Sequence, residues 1–319
     1  MKKLPIVLLL LVALLAGCGS PDPTHLPTEP PTAAPTATAA AVSASGVIAF
    51  AHDSGEQRDI YLVNVDGSGL TAVTDDAGWD NWPSWSPDGT RLAFTCRQPI
   101  PADGGGICTI NADGSGRVVL TDINEWEPSW SPDGKHISFA STCDQNPEIY
   151  MMDADGSNLV RLTHDPADDW MANWSPDSTR IVFVSKRDGD WEIYIMDVSD
   201  GGQVGDGQLT KLTDNDAPDG FPAWSPDGTR IVFMSERDGN KEIYRMDADG
   251  SDQRRLTNTD FEESFPRWSP DGQWIVYTFL STDSSVFSFD LMVMHVESGQ
   301  QQRVTLDTPA NEECPNWKP

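Results

Sequence analysis

Six acidic residues stand at matching places in this 319-residue chain: Asp80, Glu125, Asp169, Asp219, Glu263 and Glu312. Each lies three residues before a position that is usually Pro. Carboxylates at equivalent places of a circular repeat would ring one mouth of a central channel, where they could bind a cation or a basic peptide segment. The same spacing also suits a plainer task, in which each carboxylate accepts backbone N–H groups of its own loop once per repeat. A feature present in every repeat usually serves the repeat, so the second reading is favoured. Aromatic residues in the same loops recur less regularly. Trp82, Phe221 and Phe265, directly before Pro, read as packing between repeats. Trp79, Trp126 and Trp170 fall outside the strand alternation and are the candidates for an exposed binding rim. Acidic loops with indoles suit a protein or peptide partner, or a sugar stacked on the ring.

Other chemistry finds less support. The stretches "DADGSN" (Asp153–Asn158) and "DADGSD" (Asp247–Asp252) start like calcium loops but lack the bidentate Glu at the twelfth position, so they read as hairpin turns. The five histidines, His25, His52, His136, His164 and His295, are scattered without ligand spacing. No metal or other cofactor is therefore expected. There is no nucleophile elbow, phosphate loop or dinucleotide fingerprint, so no catalytic residue is assigned. Apart from Cys18 the chain has Cys96, Cys108, Cys143 and Cys314. Cys96 and Cys108 flank one hairpin and are the candidate disulfide. Cys143 and Cys314 fall in different repeats.

The elements that must position these residues are written in a repeat. "WSPDG" occurs at Trp85, Trp130, Trp224 and Trp268, "WSPDS" at Trp174, and Trp317-Lys318-Pro319 looks like a further copy cut short. Residues 222–257 give the full unit: a short strand ending in Trp-Ser, a Ser-Pro-Asp-Gly turn, and the strand "RIVFMS". A second turn, the strand "EIYRMD", a tight "ADGSD" turn and the short strand "RRLT" complete it. Pro fixes φ at the second turn position, and Gly tolerates the left-handed conformation that closes the bulged hairpin. Ser178 replaces that Gly once, at an expected cost of about 1 kcal/mol. Four short strands per unit of this length predict propeller blades. The first unit lacks its Trp-bearing strand, and the last strand, at Trp317, lacks a unit. Pairing the two predicts an all-β, six-bladed propeller over 46–319, closed by the C-terminal strand on the N-terminal blade, which removes the open sheet edge.

At the N-terminus, Met1-Lys2-Lys3 precedes an apolar run from Leu4 to Ala16, too short to span a bilayer comfortably. It reads as a signal peptide over 1–17. Leu15-Ala16-Gly17-Cys18 resembles the bacterial lipoprotein box, in which the Cys thiol receives a diacylglycerol. Residues 18–45, rich in Pro, Thr and Ala, cannot bury enough apolar surface to offset their ordering entropy and read as a disordered tether behind the lipidated Cys. Once residues 1–17 are removed, the 50 acidic residues face 19 basic ones, a net charge of −31. Such a surface repels nucleic acid and anionic headgroups, so membrane contact is expected only through the lipid anchor.

The pattern P-x-W-S-P-D-G, I-x-F-x-S, E-I-Y-x-M-D, D-G and L-T resembles the TolB-type β-propeller repeat over 46–319. That family is similar in the order of its strands and turns. It implies an extracytoplasmic propeller, since its namesake is a periplasmic protein that binds a peptidoglycan-associated lipoprotein. Residues and resemblance together predict a monomeric, lipid-anchored cell-envelope protein that faces the extracytoplasmic side. It would bind an envelope protein or peptide through its acidic and aromatic loops, without making bonds. The alternative is carbohydrate binding, or a polysaccharide lyase or hydrolase that works in the propeller channel.

Overall fold

The computed structural model describes Ala44 and residues 46–97, 105–122, 124–200, 209–281, 288–305 and 310–319. The signal region, Cys18 and most of the tether lie outside the described residues. All regular structure described is β-strand. The first unit comprises Val47–Asp53 (β1), Arg58–Asn64 (β2) and Thr71–Ala72 (β3). The second comprises Trp79–Trp85 (β4), Arg91–Arg97 (β5), Gly106–Asn111 (β6) and Val118–Val119 (β7). Next come Glu125–Trp130 (β8), His136–Ser141 (β9), Glu148–Asp153 (β10) and Val160–Arg161 (β11). Asp169–Trp174 (β12), Arg180–Ser185 (β13), Glu192–Asp197 (β14) and Leu209–Lys211 (β15) come after these. Then lie Asp219–Trp224 (β16), Arg230–Ser235 (β17), Glu242–Asp247 (β18) and Arg254–Arg255 (β19). Glu263–Trp268 (β20), Trp274–Ser281 (β21), Ser288–His295 (β22), Gln301–Arg303 (β23) and Asn311–Trp317 (β24) complete the chain.

The expectation of six separate blades is corrected by the hydrogen-bonded sheets. Four discrete four-stranded blades are present: β8–β11, β12–β15, β16–β19 and β20–β23. The remaining strands form one eight-stranded sheet in the order β24-β1-β2-β4-β5-β6-β7, with β3 paired to β2 off that path. The join is a single parallel pairing of Arg58 with Trp79. It arises where β2 and β4 each begin one residue before their carboxylates, at Arg58 and Trp79, whereas β8, β12, β16 and β20 begin at the carboxylate itself. Elsewhere the same approach yields lone backbone hydrogen bonds, Glu125 N to Gly105 O at 2.9 Å and Asp219 N to Trp191 O at 2.8 Å among them. At the chain's ends β24 lies antiparallel to β1, with Trp317 opposite Ile48 and Glu312 opposite His52.

The five complete Trp-Ser-Pro-Asp turns share one hydrogen-bond network. Each Ser hydroxyl donates to the Asp Oδ1 at 2.6–2.7 Å. It also accepts the backbone N–H five residues on at 2.9–3.0 Å. The same Oδ1 accepts the N–H two residues beyond the Asp. These bonds to the charged form hold the carboxyls of Asp88, Asp133, Asp177 and Asp227 low, Asp88 at about 2, chiefly through the Ser86 hydroxyl. Ser178 keeps the left-handed backbone of the Gly it replaces, at φ 58°. Its Oγ accepts a hydrogen bond from Asp133 N in the preceding unit at 3.1 Å, which offsets part of the strain.

The apolar core sits between units. Phe50, Phe94, Phe139, Phe183, Phe233 and Tyr277, at the centres of the second strands, are at most 1% exposed. The repeated Trp residues are 4–8% exposed. Three of them donate an indole N–H to a neighbouring unit: Trp85 to Asn316 O at 3.2 Å, Trp174 to Ser129 O at 3.1 Å and Trp268 to Ala223 O at 3.2 Å. Ile48, Phe50 and Val63 pack with Trp274, Val276, Leu291 and Trp317, so the first and last units share one core. A Trp317→Ala variant should therefore lose about 3–5 kcal/mol in urea unfolding. Trp79→Ala, at a position 49% exposed, should lose under about 1 kcal/mol.

Candidate functional site

Each inner strand runs from one end of a central channel to the other, and its residues divide into three levels. The carboxylate stands at the first level, a kinked residue before Pro at the second, and the Trp with its Pro turn at the third. The sequence drives this because every one of these strands carries an extra residue. Pairing with the second strand shifts register between Asn81 and Ser84, Trp126 and Ser129, Trp170 and Asn173, Gly220 and Ala223, and Ser264 and Arg267. The bulged residues Trp82, Glu127, Met171, Phe221, Phe265 and Cys314 all have φ between 53° and 61°. A bulge of this kind re-aims a side chain, and here it turns all six inward.

At the first level the six carboxylates are 0–5% exposed. Arg117 donates to Asp80 at 3.0 Å and Arg187 to Asp169 at 3.1 Å. Asp219 accepts from Arg237 at 2.9 Å and from Asn215 at 2.8 Å. Glu263 accepts from Thr257 at 2.9 Å and Thr259 at 2.7 Å, and Glu312 lies 3.7 Å from His52 Nδ1. Glu125 is buried likewise. The ring is thus turned into the protein, and the three arginines, Arg117, Arg187 and Arg237, each come from the carboxylate's own unit. Burial raises Asp80 to about 7 and Asp169 to about 6, against the pull of Arg117 and Arg187. Burial raises Glu263 as well, helped by Glu242, which shares the Thr257 hydroxyl with it.

The acidity of this mouth comes from residues that sequence reasoning passed over. Asp75, Asp214, Asp216 and Asp260, in the loops entering the inner strands, are exposed. Their signal was a place one or three residues after Leu-Thr or Val-Thr, outside the matched carboxylate column. Among the rim candidates Trp79 is the exposed one, with the Arg58 guanidinium 5.5 Å from its ring centroid. Trp126 and Trp170 are half-buried, and Trp170 packs against cores on both sides.

The second level holds the largest surprise. Trp82, Phe221 and Phe265, expected to pack between repeats, instead meet one another inside the channel. Phe221 and Phe265 have ring centroids 4.2 Å apart, Trp82 and Phe265 5.3 Å, and Trp82 and Phe221 6.1 Å. Glu127 breaks this apolar level. Its Oε2 accepts a hydrogen bond from Met171 N at 2.8 Å, and desolvation raises its carboxyl to about 7 against the attraction of Arg267. Cys314 is a buried thiol at the same level, its pKa pushed up by burial. Beyond it the channel widens into a cavity of about 370 Å³, walled by the six repeated Trp residues and the Pro residues of their turns.

Cys96 and Cys108 form a disulfide across β5 and β6, with Cα atoms 5.7 Å apart. Closing a loop of this length contributes about 3 kcal/mol. Cys143 lies exposed in the turn after β9. In the "DADGSN" turn Asp155 Oδ1 accepts from Ser157 N at 2.9 Å and Oγ at 2.6 Å, which accounts for the motif as a hairpin. Among the described residues no group of three or more His, Cys, Asp or Glu side chains is arranged to hold a metal ion.

A family model described as the TolB beta propeller domain matches residues 107–205 and 202–319. The crystal structure of TolB from Acinetobacter baumannii is 26% identical with a TM-score of 0.74, over 86% of this chain and 67% of that one. A putative TolB from Agrobacterium tumefaciens is 21% identical with a TM-score of 0.65, over 86% of this chain and 99% of that one. An oligogalacturonate lyase in complex with manganese, 13% identical with a TM-score of 0.52 over 82% of this chain and 74% of that one, shares the fold. No curated protein sequence matches the chain.

The raised carboxyls set the pH dependence of stability. Asp80, Glu127 and Asp169 bind more protons folded than unfolded between their ordinary and raised values, so stability falls as pH rises from about 4 to 7. The turn carboxyls such as Asp88 are held low, so their contribution is lost as pH falls below about 4. A thermal-melt series should peak at about pH 4. Glu127→Gln should raise Tm by about 2–4 °C at about pH 8 and leave it unchanged at about pH 4. A flat difference across that range would remove Glu127 from this account.

Proposed function

We propose that this chain, which belongs to the TolB beta propeller domain family, is a lipid-anchored extracytoplasmic protein that binds an envelope protein or peptide on its acidic loop face. One observation carries the reading: Trp79, 49% exposed at the junction where two units merge into one sheet, stands over Arg58 on the end of the channel where Asp75, Asp214, Asp216 and Asp260 reach solvent. An indole held in place presents apolar area at little entropic cost, and its acidic surroundings favour a partner with basic residues around an apolar anchor. Arg58 itself is committed to Asp53 at 2.8 Å and Glu313 at 3.2 Å, so the indole rests on a fixed platform. The net charge of −29 for the whole chain favours the same class of partner. Residues 18–45 supply reach, and an acylated Cys18 would hold the propeller at the membrane.

The mechanism is recognition. Basic groups of the partner approach along the field of the loop carboxylates, and contact is completed by burial of the Trp79 indole. The buried first-level carboxylates contribute by fixing the loops from beneath. In-cell cross-linking with the tethered wild-type protein should recover a defined envelope partner. The combined variant Trp79→Ala, Asp75→Asn, Asp214→Asn, Asp216→Asn and Asp260→Asn should fold normally, since all five sites are exposed, and lose about 10-fold or more of the cross-linked product. The same partner in unchanged yield would place the binding surface elsewhere. Cys18→Ala should release the propeller from the membrane fraction.

A further inference from the structure

The third-level cavity contains a charge that the repeat does not require. The residue before each repeated Trp is Ser84, Ser129, Asn173, Ala223, Arg267 or Asn316. Three of these side chains work for the fold by accepting the backbone N–H of the next unit's Trp: Ser84 from Trp130 at 3.0 Å, Asn316 from Trp85 at 3.3 Å and Asn173 from Trp224 at 3.2 Å. Arg267 does no such work, and Ala223 shows that the position tolerates having no polar side chain. The Arg267 guanidinium makes one hydrogen bond, from Nη1 to the Pro266 carbonyl at 2.9 Å. Among the described residues no carboxylate lies within 4.0 Å of it. Glu127, a carboxylate that attracts it from further off, belongs to the narrow level and commits one oxygen to Met171. Arg267 lines both the narrow level and the wide cavity, so it stands where the two meet.

A guanidinium has five N–H donors, and the half-buried Arg267 spends one of them on Pro266, so the others are open to a ligand in a recess walled by Trp and Pro. Its planar fork fits a carboxylate with two parallel hydrogen bonds. The cavity of about 370 Å³ and its indole and pyrrolidine walls suit an apolar body behind that carboxylate. We propose that the wide mouth of the channel is a ligand site for a carboxylate on a compact apolar group, with Arg267 as the residue that binds the carboxylate. This site lies at the opposite end of the channel from the loop face, so it stands or falls separately from the partner reading above. The carboxylate could be that of a free organic acid or the terminus of a peptide.

Both sources can be tested by calorimetry and tryptophan fluorescence on the purified propeller, using 3-phenylpropanoate for the free acid and N-acetyl-phenylalanine for the peptide terminus, each against its amide. Binding by at least one acid, with its amide about 10-fold weaker or worse, is expected. Which acid binds tells the sources apart. Arg267→Gln should bring the acid down to the level of its amide while leaving amide binding unchanged, and Arg267→Lys should retain part of the preference. Glu127→Gln should strengthen acid binding a few-fold by removing a competing negative charge. Equal binding of acid and amide by the wild-type protein would overturn the proposal, as would failure of both acids to bind. Undiminished acid binding by a folded Arg267→Gln variant would overturn it too. The acid-against-amide comparison needs no variant, so it decides the matter even if the Arg267 substitutions fold poorly.

Discussion

In every inner strand one non-glycine residue sits in the left-handed region directly before the Pro position, and the geometry of the channel depends on that kink. Such a residue costs about 1–3 kcal/mol unless the surrounding structure fixes it. Here the strand is clamped on both sides of the kink. The buried carboxylate end pairs with the second strand in one register and the Trp end pairs in another. The extra residue has nowhere to go but inward. Six such residues define the narrow level of the channel, and their identities decide what the channel is. Three are aromatic and touch one another, and one is a carboxylate.

The two ends of the channel are built from different physics. At the carboxylate end, charge is first committed inside the protein, where Asp80, Asp169 and Asp219 satisfy arginines of their own units. These pairs are buried, so they give the loops a fixed arrangement more than they add net stability. Charge offered to solvent comes from a separate set of loop residues. At the Trp end the surroundings are apolar, with the turn carboxylates bound locally by Ser hydroxyls and backbone N–H groups. Among the described residues lining this cavity Arg267 is the one charged side chain, set among Trp, Pro, Ser, Asn and Ala, which gives it its importance. The first and last units share one core, which joins the two ends of the described propeller.

Much of the architecture was legible because its causes are local. Pro, Asp and Gly fix the turn wherever they occur in that order, and the hydrogen bonds of all five complete turns agree within about 0.1 Å. The Cys96–Cys108 disulfide was also within reach, since both residues lie on strands of one hairpin. The sheet count was less so. Whether two neighbouring units remain separate sheets turns on a single residue at the strand ends. Arg58 and Trp79 pair where their counterparts make only a lone backbone hydrogen bond.

For the candidate site the division is sharper. Residue types and spacing were enough to place a carboxylate, an aromatic loop and a Trp turn in each unit, because these are properties of short segments. Alternation along a strand then predicted where side chains point, and that inference failed at the bulge. A single inserted residue reverses the facing of the residues after it, so Trp82, Phe221 and Phe265 went into the channel instead of between repeats. Burial of the carboxylate column, exposure of Asp75 and its counterparts, and the isolation of Arg267 all depend on groups brought together from distant units. The sequence by itself determined the repeat and its turns, since those energies are settled within a few residues. Only the tertiary structure decided which charges are matched inside and which are left for a ligand, since that balance is struck between chains of contact that span the whole ring.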